Sequence, residues 1–129
     1  MSQATLERAR EAYRVLGVGD ARPLRELVDP EATWEPERHT QRRRSESGEE
    51  LLDRWLYRAR THRLRVTEAL DFGDKALLTI VGRRMGYMGA RFFGRSIFQV
   101  VTFREGRIVR LQDFRTRDEA LAALGVTAS

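Results

Sequence analysis

The stretch that most constrains the fold runs from Arg95 to Arg115 and reads RSIFQVVTFREGRIVRLQDFR. Two apolar runs rich in Val, Ile and Phe, Ser96–Arg104 and Arg107–Arg115, flank a Glu105-Gly106 pair. Apolar β-branched and aromatic runs on either side of a short glycine-containing turn are typical of a β-hairpin. The sequence therefore predicts two adjacent antiparallel strands in this stretch.

The turn of this hairpin can be built in two ways. A two-residue turn requires a positive φ at Glu105, which is unfavourable for a residue with a Cβ atom. A type I turn followed by a left-handed bulge residue requires a positive φ only at Gly106. We therefore predict the second form, in which Phe103 lies opposite Arg107 and Gln99 lies diagonal to Asp113.

One face of the predicted hairpin is the better candidate for the protein interior. On that face lie Ile97, Gln99, Val101, Phe103, Val109, Leu111, Asp113 and Arg115. On the other face, which is more polar in its second strand, lie Phe98, Val100, Thr102, Ile108, Arg110, Gln112 and Phe114. The interior face begins apolar and ends with a carboxylate, an amide and a guanidinium, a pattern that predicts the floor of a pocket.

Length and composition exclude several classes of protein. A chain of 129 residues forms one domain, residues 1–129, that can bury roughly two thirds of its unfolded surface. It has no cysteine, so disulfides, thiolate metal sites and cysteine nucleophiles are excluded. No run approaches the ~18 apolar residues of a membrane helix, and the charged first residues do not resemble a signal peptide. We expect a cytoplasmic protein without membrane contact.

The net charge of +5 raises the question of an anionic partner. Arginines are interleaved with Asp and Glu along the whole chain, and Lys75 is the only lysine. The one dense block is Arg42–Arg44, which we interpret as a solvated loop or a pocket rim. Binding of phosphate or of an anionic partner is the alternative, with a steep salt dependence as its signature. We do not expect a nucleic-acid partner.

Helical spacing of apolar residues predicts helices over residues 4–16 and 48–60, the second capped by Ser47. Between them we predict a short helix that follows Asp20 and ends at Asp29-Pro30. A short β segment over residues 32–36 and a polar loop over residues 37–48 come next.

From Leu64 onward the pattern changes to that of strands. Leu64–Leu70 and Ala76–Arg84 are predicted strands that precede the hairpin. Thr116 caps a last helix, Arg117–Leu124, which Gly125 ends. The order α-α-β-α-β-β-β-β-α predicts an α+β fold in which a curved antiparallel sheet wraps around helices and leaves an internal pocket.

Two segments resemble a known superfamily. They are Leu27-Val28-Asp29-Pro30-Glu31-Ala32-Thr33-Trp34 and Thr102-Phe103-Arg104-Glu105-Gly106-Arg107-Ile108-Val109. In this arrangement they resemble the NTF2-like superfamily and, within it, the SnoaL-like proteins, whose relatives include ketosteroid isomerases, polyketide cyclases and limonene epoxide hydrolases. The resemblance covers nearly the whole chain and implies a cone with a pocket for a small hydrophobic molecule, without a cofactor. It also implies a homodimer that pairs through the outer sheet face, where Phe98, Val100 and Phe114 supply apolar surface.

The same resemblance implies roles for individual residues. The general base of isomerase-type relatives corresponds to Glu35, one residue short of their spacing, and their proton-donating tyrosine to Tyr13. Their acid on the penultimate strand corresponds to Gln99, an amide that donates hydrogen bonds but does not titrate. SnoaL-type cyclases use an aspartate on the final strand, where this chain has Asp113. The epoxide hydrolases use an Asp-Arg-Asp set, of which Asp113 and Arg115 supply a part.

Asp113 is our first candidate for proton transfer. A carboxylate at the deep end of an apolar face has its pKa raised by desolvation and lowered by a nearby guanidinium, so it can be tuned as a base. Gln99 can orient either a substrate carbonyl or the carboxylate itself. The alternatives are that Asp113 lines the pocket without chemistry or is a structural partner of Arg115. Glu35 and His39 are further catalytic candidates, with a rim carboxylate and a solvated loop histidine as their alternatives.

The remaining pocket candidates are mainly aromatic and apolar. As substrate-binding residues we predict Gln99, Arg115, Trp34, Tyr13, Trp55, Tyr87, Leu111 and Ile97. The segment Tyr87–Gly94 is interpreted as a lip over the pocket or as an interface segment. His62 complements the dipole of the preceding helix. With two histidines and no cysteine we expect no metal site and no cofactor. The predicted function is isomerase, cyclase or hydrolase chemistry at Asp113, with a non-catalytic binding or accessory protein as the alternative.

Overall fold

A computed structural model describes residues 2–18, 22–37, 44–82 and 96–126 of the chain. Several of the residues singled out above lie outside these ranges. They are the site candidates His39 and Tyr87, Arg42 and Arg43 of the arginine block, the helix cap Asp20, and the segment Tyr87–Gly94.

The described residues form four helices and five strands in the predicted order. The elements are α1 (Ser2–Val18), α2 (Arg22–Leu27), β1 (Val28–Glu35), α3 (Gly48–His62), β2 (Arg65–Asp71), β3 (Lys75–Val81), β4 (Ser96–Arg104), β5 (Arg107–Phe114) and α4 (Arg117–Ala123). The predicted α+β class is confirmed. The largest difference in bounds is in β1, which begins at Val28 rather than at residue 32.

The five strands form one curved sheet in the order β1-β5-β4-β3-β2. Strands β2 to β5 are antiparallel neighbours, as predicted. Strand β1 runs parallel to β5, with Trp34 opposite Leu111, so the prediction of a wholly antiparallel sheet is wrong at this edge. Helix α3 and three strands lie between β1 and β5 in sequence, and a connection of that length allows a parallel neighbour.

The turn of the β4–β5 hairpin differs from the predicted one. Arg104 pairs with Arg107, and both Glu105 (φ 52°) and Gly106 (φ 80°) have positive φ, so the turn has two residues. Such turns match the right-handed twist of the flanking strands, which offsets the ~1–2 kcal/mol cost of a left-handed Glu105. The Gly106 carbonyl also accepts a hydrogen bond of 2.9 Å from Arg8 Nη1, which ties the turn to α1.

A bulge at Val109 restores the predicted faces farther along the hairpin, although the residue pairs differ from the predicted ones. Thr102 lies opposite Arg110 and Phe103 lies opposite Ile108. Near the turn, Ile108 and Val109 therefore lie on the faces opposite to those predicted. Ile108 is fully buried and Val109 is half-buried, the reverse of their predicted placement. Beyond the bulge, Gln99 lies directly opposite Asp113, whereas the predicted register made the two residues diagonal neighbours.

The two faces of the sheet are covered differently. Helices α1 and α3 cover the concave face, where Tyr13 and Trp55 pack edge to face with ring centroids 5.3 Å apart. Helix α4 lies on the convex face, where Ala120 packs with Leu77 and Val100. Val100 is therefore buried and Phe98 is half-buried, so α4 of the same chain occupies part of the surface assigned to a dimer. The homodimer stays a prediction.

The predicted helix caps Ser47 and Thr116 are confirmed. Ser47 Oγ accepts a hydrogen bond from the backbone N–H of Glu50 at 3.2 Å at the start of α3. Thr116 and Glu119 form a reciprocal capping box at the start of α4. Past the end of α4, Gly125 has a φ of 81°, and the Val126 N–H bonds the Leu121 carbonyl at 2.9 Å. That bond is typical of a Schellman motif.

Among the described ranges, no helix has both the length and the apolar character required to cross a bilayer.

The close approach of α3 to β1 gives a test of the packing. A Cβ atom at Gly48 would lie 2.4 Å from the backbone oxygen of Asp29, so the backbone of one element must shift. We expect Gly48→Ala to lower the free energy of unfolding by about 1–3 kcal/mol in urea titrations.

Gly17→Ala is the matched control for this substitution, because Gly17 lies in α1 and, apart from the adjacent helix backbone, no described heavy atom lies within 4 Å of the added Cβ. We expect it to leave stability unchanged or to raise it by up to about 1 kcal/mol. Equal effects of the two substitutions would contradict the close approach.

Candidate functional site

The Asp113 carboxylate is the centre of a buried polar cluster near the end of β5. Its side chain is only 2% exposed, and three N–H groups donate to it. Gln99 Nε2 donates to Oδ1 at 2.9 Å, Trp34 Nε1 donates to Oδ2 at 2.9 Å, and Arg58 Nη1 donates to Oδ2 at 3.3 Å. Among the described residues, every hydrogen-bond partner of this carboxylate is therefore a donor.

Strand geometry brings three of these side chains together. Gln99 on β4 lies directly opposite Asp113, and Trp34 on β1 lies opposite Leu111, which shares a face with Asp113. Strands β1 and β4, on either side of β5, thus each place a hydrogen-bond donor against the same carboxylate. The parallel pairing of β1 with β5 is what places the Trp34 indole there.

Arg58 is the residue of this cluster that the sequence analysis missed. Its side chain is 6% exposed, and its Cζ lies 4.6 Å from the centre of the Trp34 ring. Leu51, Trp55, Arg58 and His62 follow one another at spacings of 4, 3 and 4 residues, which places all four on one face of α3. That spacing was the available signal, because it puts a cation on the core-facing stripe of the helix. His62, assigned above only to the helix dipole, is fully buried for the same reason.

Tyr13 extends the cluster into α1. Its hydroxyl donates to Gln99 Oε1 at 2.8 Å, which leaves the Gln99 Nε2 group facing Asp113. Burial raises the pKa of Tyr13, and the indole N–H of Trp55 beside the Tyr13 oxygen opposes part of this rise. This N–H still lacks an acceptor within hydrogen-bond distance in the described part of the chain. Tyr13 therefore donates a hydrogen bond to Gln99, and Gln99 donates one to Asp113.

Burial dominates the electrostatics of both titrating groups. It raises the pKa of Asp113, against the opposing effects of the Arg58 charge and of hydrogen bonds from Gln99, Trp34 and Arg58. Burial likewise raises the pKa of Tyr13 well above its ordinary value of 10.0. Tyr13 is therefore a protonated donor at every physiological pH, and an ionised Asp113 accepts a proton more readily than an exposed aspartate does.

Comparisons with known proteins bear on the fold of this chain. No known protein-family profile matches the sequence, and no curated protein matches it. Solved structures do match. A candidate polyketide cyclase from Sinorhizobium meliloti is 22% identical with a TM-score of 0.63, over 83% of this chain and 93% of that one. An NTF2-like protein of unknown function from Mesorhizobium loti is 22% identical with a TM-score of 0.67, over 88% and 91% of the two chains. The chain has the NTF2-like fold.

Two further neighbours show how widely this fold is used. A candidate ketosteroid isomerase from Kribbella flavida is 18% identical with a TM-score of 0.65, over 88% of this chain and 78% of that one. A de novo designed protein with a curved β-sheet is 14% identical with a TM-score of 0.68, over 97% of both chains. The structural similarity establishes the NTF2-like fold. The sequence identities are too low to establish an activity, which has to be argued from the site.

Within the NTF2-like cone, the other predicted site residues fall into separate places. Ile97 and Leu111 are buried in the core cluster that also contains Tyr13, Trp34 and Trp55. Arg115 follows the end of β5, and the ion-pair partner of Asp113 is Arg58 rather than Arg115. Glu35 is paired with Arg110, whose Nε lies 2.7 Å from Glu35 Oε2, and does not contact the Asp113 carboxylate.

A cavity of about 460 Å³ borders Asp113 at the edge of the NTF2-like sheet. It is lined by Glu35, Pro36, Glu37, Gln112, Asp113, Phe114, Glu119 and Ala122. Side chains alternate along a strand, so Gln112 and Phe114 point away from the face that carries the Asp113 carboxylate. The cavity therefore lies on the α4 side, while aromatic side chains pack the concave side around the carboxylate. The predicted internal pocket stays a prediction.

Within the described ranges, no group of three or more His, Asp or Glu residues is arranged to hold a metal ion. The chemistry that the cluster itself can support is proton transfer and hydrogen bonding.

The raised pKa of Asp113 predicts how stability depends on pH. A raised folded-state pKa means that the contribution of Asp113 is fully present below its ordinary pKa of 3.8 and is lost as pH rises through the folded-state pKa. The free energy of unfolding of the wild type minus that of Asp113→Asn should therefore fall as pH rises above 3.8. Chemical unfolding across a pH series measures this difference. A difference that grows with pH would mean that the Arg58 charge and the three hydrogen bonds lower the pKa of Asp113 by more than burial raises it.

The Tyr13–Gln99 hydrogen bond predicts a second effect. Tyr13→Phe removes the donor to a buried amide oxygen, which should cost about 1–3 kcal/mol of stability. Tyr57→Phe is the control, because Tyr57 is 63% exposed, and it should change stability by less than about 0.5 kcal/mol. Thermal and urea unfolding measure both. Equal effects would show that the Tyr13 hydroxyl does not support the cluster.

Proposed function

We propose that the protein binds a small hydrophobic molecule within its cone and that Asp113 accepts a proton from it. The observation that carries this proposal is a buried carboxylate whose partners in the described part of the chain are all N–H donors. Donors stabilise the ionised form, whereas burial makes that form more basic. A carboxylate under both influences has the properties of a general base.

The geometry favours one oxygen of the carboxylate as the proton acceptor. Oδ2 receives hydrogen bonds from both Trp34 and Arg58, whereas Oδ1 receives one from Gln99. A carboxylate oxygen offers two acceptor positions. In this proposal Oδ1 takes the substrate proton at its remaining position, and Gln99 keeps the carboxylate plane fixed while the proton moves.

The structural neighbours support the reaction class and not the substrate. Those described as a candidate polyketide cyclase and a candidate ketosteroid isomerase suggest isomerase or cyclase chemistry. Hydrolase chemistry has less support here, because Glu35 is paired with Arg110 and does not contact Asp113 as a second carboxylate. The proposed assembly is a homodimer.

A binding or accessory protein without chemistry is the second candidate. One observation favours it: the Asp113 side chain is only 2% exposed, so the cluster also suits a purely structural role in fixing the core. In this case the ligand contacts the cone without losing a proton.

A ligand screen with matched variants tests both candidates. Wild type, Asp113→Asn and Asp53→Asn are compared by thermal shift against steroids, aromatic polyketides, terpene epoxides and fatty acids. A ligand at ~100 times its Kd adds roughly 2.7 kcal/mol to stability. Asp53 is an exposed carboxylate of α3, so Asp53→Asn makes the same chemical change away from the cluster.

The enzyme proposal expects a ligand class that stabilises all three proteins and is converted by wild type and Asp53→Asn. Loss of a general base should slow turnover by about 100-fold or more in Asp113→Asn. Equal binding without conversion by any variant would replace the enzyme with the binding protein. No stabilisation by any class would contradict the small-molecule proposal itself.

A further inference from the structure

Arg58 is the one cation that contacts the Asp113 carboxylate in the described part of the chain. We propose that Arg58 is a positioning residue for Asp113: its guanidinium, held against the Trp34 ring, keeps the carboxylate ionised and fixes Oδ2, so that Oδ1 faces the substrate. The role in catalysis rests on the proposed function, whereas the effect on the carboxylate can be measured without any substrate.

The geometric basis is a closed triangle of contacts. Arg58 Nη1 and Trp34 Nε1 both donate to Asp113 Oδ2, at 3.3 and 2.9 Å. The third side is the contact of the guanidinium with the indole, whose ring centre lies 4.6 Å from Arg58 Cζ. Each member is thus held by the other two, and a movement of any one changes the position of Oδ2.

The shape of the arginine side chain matters for this arrangement. A guanidinium is planar and can place its flat face on an aromatic ring while an N–H at its edge reaches a carboxylate. A lysine ammonium is a compact point charge that cannot provide both contacts in the same way. Arg58 is therefore expected to do more than supply a positive charge.

Among the described groups that favour the ionised form of Asp113, Arg58 is the one that carries a charge. The groups that act on it from the packed elements are Arg58 of α3, Gln99 of β4 and Trp34 of β1. Trp34 and Gln99 are neutral donors, and Tyr13 of α1, which donates to Gln99, stays neutral because burial and the Asp113 charge both raise its pKa. Without Arg58, the pKa of this buried carboxylate should rise further, because only the hydrogen bonds from Gln99 and Trp34 would still oppose the effect of burial.

Titration of the Asp113 carboxyl carbon by NMR tests this role directly. Wild type, Arg58→Met, Arg58→Lys and Arg60→Met are labelled with ¹³C-carboxyl aspartate, and Asp113→Asn assigns the signal. Arg60 is an exposed arginine of the same helix, so Arg60→Met is the matched control. The Trp34 indole N–H signal reports on the position of the ring in the same samples.

Arg58→Met should raise the proton affinity of Asp113 by about tenfold or more, and Arg60→Met should leave it unchanged. Arg58→Lys should give a smaller rise, accompanied by a displaced Trp34 indole signal. A wild-type titration in Arg58→Met would overturn the proposal. A wild-type titration and indole signal in Arg58→Lys would overturn the positioning role, because charge alone would then suffice.

Removal of one member of a buried ion pair can prevent folding. If Arg58→Met does not fold, the double variant Arg58→Met/Asp113→Asn shows whether the unpaired Asp113 carboxylate is the cause. Recovery of folding in the double variant supports the proposal, whereas continued failure to fold would overturn it, since Arg58 would then act independently of Asp113. Failure of the proposed function is a separate result, in which Arg58 controls the titration but Asp113→Asn retains full activity.

Discussion

The burial of one charge, the Asp113 carboxylate, is the constraint on which the arrangement of the concave face depends. A carboxylate removed from water is stable only if hydrogen-bond donors or a cation replace the water. Here β1, β4 and α3 each supply one such group, and α1 orients the amide of Gln99 through Tyr13. Hydrogen bonds that converge on a single side chain, directly or through Gln99, thus link four elements.

The sheet separates this polar cluster from a second, apolar cluster under α4. On the concave side, aromatic rings surround the carboxylate and its donors. On the convex side, α4 packs against Leu77 and Val100 and is held at both ends by its caps. The buried polar cluster therefore lies on one face of the sheet, while the other face contributes stability through burial of apolar surface.

Local patterns in the sequence were sufficient to predict most of the fold. The caps at Ser47 and Thr116 and the hairpin strands depend on neighbours within a few residues, and the prediction of each was correct. The parallel edge strand was missed because its partner is chosen by tertiary packing. The sequence also predicted Asp113, Gln99, Trp34 and Tyr13 as site candidates, and the structure brings these four residues together. Arg58 was missed because arginines are so frequent in this chain that one on an apolar helix face did not stand out.

The parallel pairing of β1 with β5 also bears on the order in which the molecule forms. Strands β2 to β5 are neighbours in both sequence and space, so they can assemble from local contacts. The Trp34–Asp113 hydrogen bond joins residues 79 positions apart and requires β5, the last strand, to be in place. Closing so long a loop is slow compared with forming the hairpins. We therefore expect the polar cluster to be completed late in folding, after strands β2 to β5 have paired.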